Sequence, residues 1–407
     1  LRQLNGTLTR DGCHRFKNMK TITVLGNYSG RNAGDNAILG NLLHDFSLVQ
    51  SNIIFQIPTL SPRFIKSNFG QYQVRPMGMM PWNFAFRNFG WPLYKAMTKT
   101  QMVLITDNIL FDRKFNNPFV NNLKSIAFFS SFCKRKGIPI VLYNASIGPI
   151  DHAAGAAALQ NVLDASALVI TRDVQTKNLI EDLKLRHPKI VVKADCALNT
   201  QVPSLLRIQE IVEKEDLYTN PNGTIGLNVN AYVDNWSKKG SLSRDEFCKI
   251  IAGTADRLIE QLDVDILFIV TQVMDIKITR ECVGHIQRKS RVRLVDNKKY
   301  TYQELTALIE RVEVLAGLRT HTLIFSAATG IPMISINAYP KSVAFLETIG
   351  MGNWNISLKN ISVEKLSGLI QRAWNERGKL RTKMVPIIEL EKKKARESVR
   401  LVMDLMQ

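Results

Sequence analysis

From Thr21 onward, short apolar runs alternate with stretches whose apolar residues recur every three to four positions. The runs Thr21–Leu25, Asn52–Ile57, Met102–Thr106, Ile138–Tyr143, Ala167–Thr171 and Ile190–Lys193 have strand length. Between several of them, Asn36–Phe46, Asn121–Lys136 and Val174–Leu185 carry an amphipathic helical pattern. Apolar strands separated by helices predict a parallel sheet covered on both faces. The polar segment 199–223 closes on Asn220-Pro221-Asn222-Gly223, a turn signal, and the alternation then restarts. Its strands are Thr224–Asn230, Ile266–Val270, Val292–Val295, Val312–Ala316 and Met333–Ile336, with helices near 243–262, 321–329 and 341–349. The predicted fold class is α/β, with two doubly wound, Rossmann-like halves and an interdomain ligand cleft. The halves are expected at 19–200 and 224–378, joined by a linker at 201–223 and followed by an amphipathic C-terminal helix within 379–407. Residues 1–18 are patternless and read as a disordered or non-native leader; Met19, directly before the first strand, is a candidate natural start.

Composition narrows the class. Of 407 residues, 45% are apolar and 22% charged, which excludes a wholly disordered chain. No apolar run approaches the roughly 20 residues of a membrane-spanning helix. No secretory pattern is present either. The formal charge of +19 is concentrated in three places. Residues 1–31 carry six basic groups against one acid, residues 61–136 twelve against two, and residues 371–407 ten against five; the rest is near neutral. Such an excess favours polyanions, anionic lipid surfaces or anionic small substrates. Within it, residues 61–100 interleave Phe64, Phe69, Tyr72, Trp82, Phe84, Phe86, Phe89, Trp91 and Tyr94 with six cations and no acid. Those aromatics can stack single-stranded nucleic acid, seat in a lipid headgroup layer, or simply fill a core. The core is the first reading for the rings. The acid-free charge adds an anionic membrane surface as an expected partner, and nucleic acid is not expected. Five scattered cysteines without zinc-ligand spacing indicate reduced thiols and a cytoplasmic compartment.

Candidate chemistry lies at the ends of the predicted strands. The first strand opens into Gly26-Asn27-Tyr28-Ser29-Gly30-Arg31-Asn32-Ala33-Gly34-Asp35-Asn36, whose glycines let backbone N–H groups approach an anion at a helix start. A purely structural tight turn explains the same spacing equally well, and Asp35 is placed to cap the helix. Three further sites set a cation where a helix begins, which is unfavourable unless something anionic is bound there. They are Arg172 before Asp173, Arg319 with His321, and Lys341 after Pro340. All follow strands, at the edge where open α/β sheets bind ligands. His152, after Gly148-Pro149-Ile150, is a weaker candidate. No Ser-His-Asp order or H-E-x-x-H motif is present, and no metal constellation is found.

In this order and at these intervals, several short pieces together resemble the polysaccharide pyruvyl transferase family over about residues 20–375. They are Gly26…Asn32-Ala33-Gly34-Asp35-Asn36, Ser146-Ile147-Gly148-Pro149, Ile170-Thr171-Arg172-Asp173, Ala194-Asp195, Thr271-Gln272…Asp275, Gly317-Leu318-Arg319-Thr320-His321, Gly330-Ile331-Pro332 and Tyr339-Pro340-Lys341. The resemblance implies a GT-B-like fold and transfer of pyruvate from phosphoenolpyruvate onto a sugar as a cyclic ketal. It implies Arg172, His321 and Lys341 as catalytic residues, with Arg319 beside them. Gly30, Asn32, Gly34, Asp35, Asp107 and Asp275 become its implied substrate-binding positions. Thr106-Asp107-Asn108 stands where relatives have a glycine-rich turn, so Asp107 is expected to face the acceptor sugar rather than a phosphate.

On this reading Arg172 and Arg319 clamp the donor's phosphate and carboxylate, Lys341 offsets charge on the leaving phosphate, and His321 is the general acid/base. No cofactor or metal is required beyond phosphoenolpyruvate as donor. The acceptor is a polymeric or lipid-linked glycan, and a peripheral position at the inner membrane face is compatible with the charge. Two other readings compete: a GT-B nucleotide-sugar glycosyltransferase, and an inactive basic protein that binds membrane or nucleic acid. Paired glutamates eight residues apart, expected of many retaining glycosyltransferases, occur in the second half only as Glu389/Glu397, in the terminal helix.

Overall fold

The computed structural model describes residues 19–78, 98–117, 121–233, 242–337 and 340–406, with the side chains of 340 and 341 excepted. The first sheet contains β1 (Lys20–Leu25), β2 (Ile53–Thr59), β3 (Val74–Gly78), β4 (Met102–Leu110), β5 (Ile140–Ile147), β6 (Ser166–Thr171) and β7 (Ile190–Val192). The second contains β8 (Thr224–Asn228), β9 (Asp265–Val270), β10 (Val292–Asp296), β11 (Val314–Gly317), β12 (Met333–Asn337) and β13 (Asn355–Ser357). Their spatial orders are β3-β2-β1-β4-β5-β6-β7 and β10-β9-β8-β11-β12-β13. Every pairing is parallel. Each sheet reverses direction of growth after its first strand, between β1 and β4 and between β8 and β11, the point where such folds open a crevice.

The helices are α1 (Ala33–Val49), α2 (Pro62–Phe69), α3 (Leu123–Lys136), α4 (Ala153–Leu163), α5 (Val174–Asp182) and α6 (Leu205–Lys214), then α7 (Arg244–Leu262), α8 (Ile276–His285), α9 (Tyr302–Ile309), α10 (Thr320–Ala328), α11 (Pro340–Thr348) and α12 (Val363–Asp404). The strands β5 and β8 are buried at every position and are mostly apolar, with Asn144, Ser146, Thr224 and Asn228 as buried polar exceptions.

Three elements depart from the pattern. The expected linker contains α6, whose Ile208 and Ile211 are buried three residues apart. The strand β3 was not expected: it is an edge strand of mixed polarity, and its Pro76 is tolerated because one side is unpaired. The terminal helix begins at Val363, so a boundary at 378/379 falls inside it. Gly378 and Pro386 signal a break, yet Leu366, Ile370, Ala373, Leu380, Met384, Ile388, Ala395, Val399 and Val402 keep one buried stripe through both. Packing of that stripe outweighs the local helix breakers. The helix also ties the halves together. Lys193 reaches Glu397 at 2.5 Å and Lys20 reaches the Met406 carbonyl at 2.7 Å, while Lys392 donates to the Ala328 carbonyl at 3.0 Å.

Residues 61–78 show what the described part of the aromatic segment does. Phe69 is buried, and Phe64 and Tyr72 pack against the core, so these rings are structural. Arg63, Lys66, Arg75 and Lys99 are exposed. Trp82, Phe84, Phe86, Phe89, Trp91, Tyr94, Arg87 and Lys95 lie outside the described residues, as do Cys13 and the leader. No helix among the described residues is long and apolar enough to cross a membrane. Cys133, Cys196, Cys248 and Cys282 are buried free thiols.

One buried acid makes stability depend on pH. Asp45 is 5% exposed and one carboxylate oxygen has no hydrogen-bond partner. Burial raises its pKa to about 6, against a smaller opposing pull from Arg396. Because the folded pKa lies above the unfolded one, the native state holds the extra proton between about pH 4 and 6, and stability falls as pH rises through that window. Asp45→Asn is therefore expected to stabilise the protein at pH 7.5 by on the order of 2 kcal/mol. Denaturant titrations at pH 7.5 and pH 4 should show the gain at the first and its loss at the second.

Candidate active site at the facing strand ends

The two sheets meet at their carboxyl edges. Asn32 bridges Gln272, the Ala33 N–H donates to the Thr271 carbonyl at 2.8 Å, and the Val273 N–H donates to the Arg31 carbonyl at 3.0 Å. The start of α1 is thereby fixed to the loop after β9. Sequence placed Asp35 at the cap of α1; the cap is Asn32, whose side chain accepts the Gly34 N–H and donates to Asp35 at 2.8 Å. An extended backbone is needed at the cap position, and Asn32 has it, whereas Asp35 is already in the first helical turn.

This junction brings Arg172 and His321 together from opposite halves. Arg172 follows β6, and His321 stands in the first turn of α10 after β11; Nη1 and Nε2 are 3.3 Å apart. Asp195 serves both. Its Oδ2 accepts from Arg172 Nη1 at 2.9 Å and lies 3.7 Å from His321 Nε2, while Oδ1 accepts the Ala197 N–H. Asp107 lies 3.8 Å from Arg172 Nη2. It adopts φ 62°, a left-handed conformation that turns its carboxylate toward the cluster. The acid that seemed to oppose a phosphate is thus balanced by Arg172.

Electrostatics follow from burial and charge pairing. Burial works against the Arg172 charge, but Asp195 and Asp107 outweigh it and raise its pKa, so it stays a cation. Burial lowers the His321 pKa below the ordinary imidazole value, leaving a neutral ring at neutral pH; Asp195 opposes this and Arg172 reinforces it. Asp35 is pushed well above the usual carboxylate range by burial and then by Asp107, which lies within its hydrogen-bonding reach. The cluster therefore contains a fixed cation and a neutral imidazole, with the Asp35 carboxyl biased toward its protonated form against the opposing pull of Arg172 and Arg319.

The remaining positions are placed less directly. Arg319 caps α10 and binds Asp275 through two bonds of 2.7 Å, from Nε and Nη2. Asp275 is fully buried and also accepts the Ala231 N–H. Gly30 has φ 81° and lies under the Phe64 ring. Gly34 lies under His321: a β-carbon there would come within 2.2 Å of Nδ1. Lys341 is in the first turn of α11, with its side chain outside the described residues; neighbouring Ser342 meets the Thr320 hydroxyl at 2.9 Å. His152 pairs with buried Asp112 at 3.0 Å, and its ring is 67% exposed. Asp195 is the functional position missed as such. Its signal was an acid between β7 and a short turn, which it caps. No group of metal ligands occurs among the described residues.

A cleft between two Rossmann-like parallel sheets, with a polar cluster assembled from both, defines a GT-B-like protein. The same fold occurs in HepE of Anabaena, solved with UDP-glucose, at TM-score 0.61 and 12% identity over 94% of this chain and 99% of that one. UDP-GlcNAc 2-epimerase of Methanocaldococcus jannaschii is similar at TM-score 0.62 and 12% identity, covering 95% of this chain and 99% of that one. A glycosyltransferase of Rickettsia africae gives TM-score 0.59 and 14% identity, covering 95% and 98% respectively. At these identities the likeness is one of fold alone. No curated protein matches the sequence. The family model of polysaccharide pyruvyl transferase matches residues 32–338, and the chain belongs to that family of transferases.

Proposed function

We propose that the protein transfers the pyruvyl group of phosphoenolpyruvate to a sugar of a polysaccharide or its lipid-linked precursor, forming a cyclic ketal. The observation that carries this reading is the contact of Arg172 with His321 across the cleft, in a chain of this family. Arg172 binds the donor's anionic groups as a fixed cation, with Arg319 held beside the cleft by Asp275. Lys341 offsets charge on the departing phosphate. An acceptor hydroxyl adds to the donor's enol carbon, neutral His321 takes its proton, and the methylene carbon is protonated. The bond to phosphate oxygen then breaks with its electron pair, and a second hydroxyl of the same sugar loses its proton as it closes the ketal. Phosphoenolpyruvate and a diol thus give ketal and inorganic phosphate, without redox change. The carboxyls of Asp35 and Asp107 are suited to sugar hydroxyls, which accept and donate alike.

The test is incubation with phosphoenolpyruvate and a panel of sugars, following phosphate release and pyruvylated product. Glycosyl transfer from a nucleotide sugar, or activity surviving in both Arg172→Ala and His321→Ala, would overturn the reading. The nucleotide-sugar ligand of HepE makes that first arm the necessary comparison. The pH profile adds a second check. Burial holds His321 neutral, so the acid limb of kcat/KM is expected below the ordinary imidazole value of 6.5. His321→Gln should remove that limb along with most of the rate.

A further inference from the structure

Two buried cysteines that the transfer chemistry does not use meet between α7 and α8. Cys248 is in the second turn of α7 and Cys282 near the end of α8, and their Sγ atoms are 3.2 Å apart. Both belong to the large apolar core, where close packing keeps side chains in place, so the sulfurs stay in contact. A disulfide bond is about 2.05 Å long, so a bridge here needs an approach of only roughly 1 Å. The two thiols are chemically unequal. The Cys282 thiol donates to the Cys248 sulfur, and that bond lowers the Cys248 pKa despite burial, with Glu281 opposing and Arg244 assisting. The same bond, with burial, pushes the Cys282 thiol far up. Cys248 is thus the nucleophile of the pair and Cys282 the resolving thiol.

The helix α8 is ten residues long, with Lys277, Arg280, Gly284 and His285 exposed, so its outer face is in solvent and its inner face holds Cys282. Local opening of so short a helix is the route by which a small oxidant reaches the sulfurs. The helix also continues the interdomain junction. Directly before it, Asp275 binds Arg319, and the Val273 N–H donates to the Arg31 carbonyl.

We infer that Cys248 and Cys282 are a redox-responsive disulfide site that staples α8 to α7, with a peroxide as the oxidant. The Cys248 thiolate attacks one peroxide oxygen and the O–O bond breaks. Cys248 becomes a sulfenic acid, and the departing hydroxide takes up the proton that Cys248 gave up. The Cys282 sulfur then attacks the Cys248 sulfur, the S–S bond forms, and the hydroxyl leaves as water with the Cys282 proton. Two thiols and hydrogen peroxide give one disulfide and two waters; the sulfurs are oxidised and the peroxide oxygens reduced. A dithiol reverses the step. The bridge closes a loop of 34 positions (282 minus 248), long enough to restrict the unfolded chain.

The test treats the native full chain with hydrogen peroxide, blocks remaining thiols in denaturant, and maps bridges by non-reducing digestion and mass spectrometry. One bridge should join the Cys248 and Cys282 peptides, and dithiothreitol should remove it. On oxidation, amide exchange within residues 276–285 should slow and the thermal midpoint should rise by several degrees. In Cys248→Ser peroxide should change neither, whereas Cys133→Ser should keep both responses. Mapping and exchange are read on the parent chain, so the outcome does not depend on the folding of either variant. Recovery of both thiols unmodified, a sulfinic acid at Cys248 in place of the bridge, or bridges that join other cysteines equally well, overturns the site. A bridge that leaves exchange in α8 unchanged overturns the staple.

Discussion

Arg172→Ala is expected to abolish pyruvyl transfer and to destabilise the fold by about 3–5 kcal/mol, the range for breaking a buried ion pair. The guanidinium side chain is 13% exposed and sits among carboxyls that are less exposed still, at 4% for Asp195 and 6% for Asp107. Removing it leaves those two buried acids without their cation, and a buried unpaired charge costs more than the pair was worth. One feature separates this outcome from a general loss of packing: Asp195→Asn added to Arg172→Ala should restore part of the stability and none of the activity. Denaturant titration, with phosphate release measured on each variant, reads both. A variant as stable as the parent at pH 7 would show that the acids are not held by Arg172.

The architecture was legible because the central strands are buried on both faces and are mostly apolar, while most of the helices between them bury some of their residues and expose others. What escaped notice was whatever the pattern encodes weakly. The strand β3 is half-exposed and contains a proline, β13 is three residues long, and α12 overrides a glycine and a proline by packing on both halves. At the site, Arg172 and His321 were visible because a cation at a helix start is electrostatically out of place. Asp195 was not, since its carboxylate doubles as a local cap, a role that explains the residue without reference to a site. Asp107 looked misplaced because its partner lies 65 positions along the chain (172 minus 107) and only strand order brings them together.

Gly34→Ala is expected to leave a well-folded protein that has lost transfer by roughly two orders of magnitude, a size comparable to displacing a catalytic group by about 1 Å. Helix propensity alone predicts the opposite sign. Position 34 lies inside α1, where alanine is favoured over glycine by about 1 kcal/mol, and its backbone has no need of glycine's extra freedom. The obstacle is His321. A β-carbon at position 34 would stand 2.2 Å from Nδ1, 2.3 Å from Cγ and 2.7 Å from Cβ of that ring, distances no pair of atoms can keep. The ring must swing away and gives up its 3.3 Å approach to Arg172 and its alignment with Asp195. Stability and activity should therefore separate, with a nearly unchanged thermal midpoint and a kcat close to that of His321→Ala. The decisive comparison is the double variant. Once His321→Ala has removed the ring, only the β-carbon of position 321 still crowds the added methyl group, at 2.7 Å. Gly34→Ala should then cost no further activity, because the imidazole it displaces is already gone. An equal loss from Gly34→Ala with and without the imidazole would mean that the glycine serves the backbone of α1 instead of the position of His321.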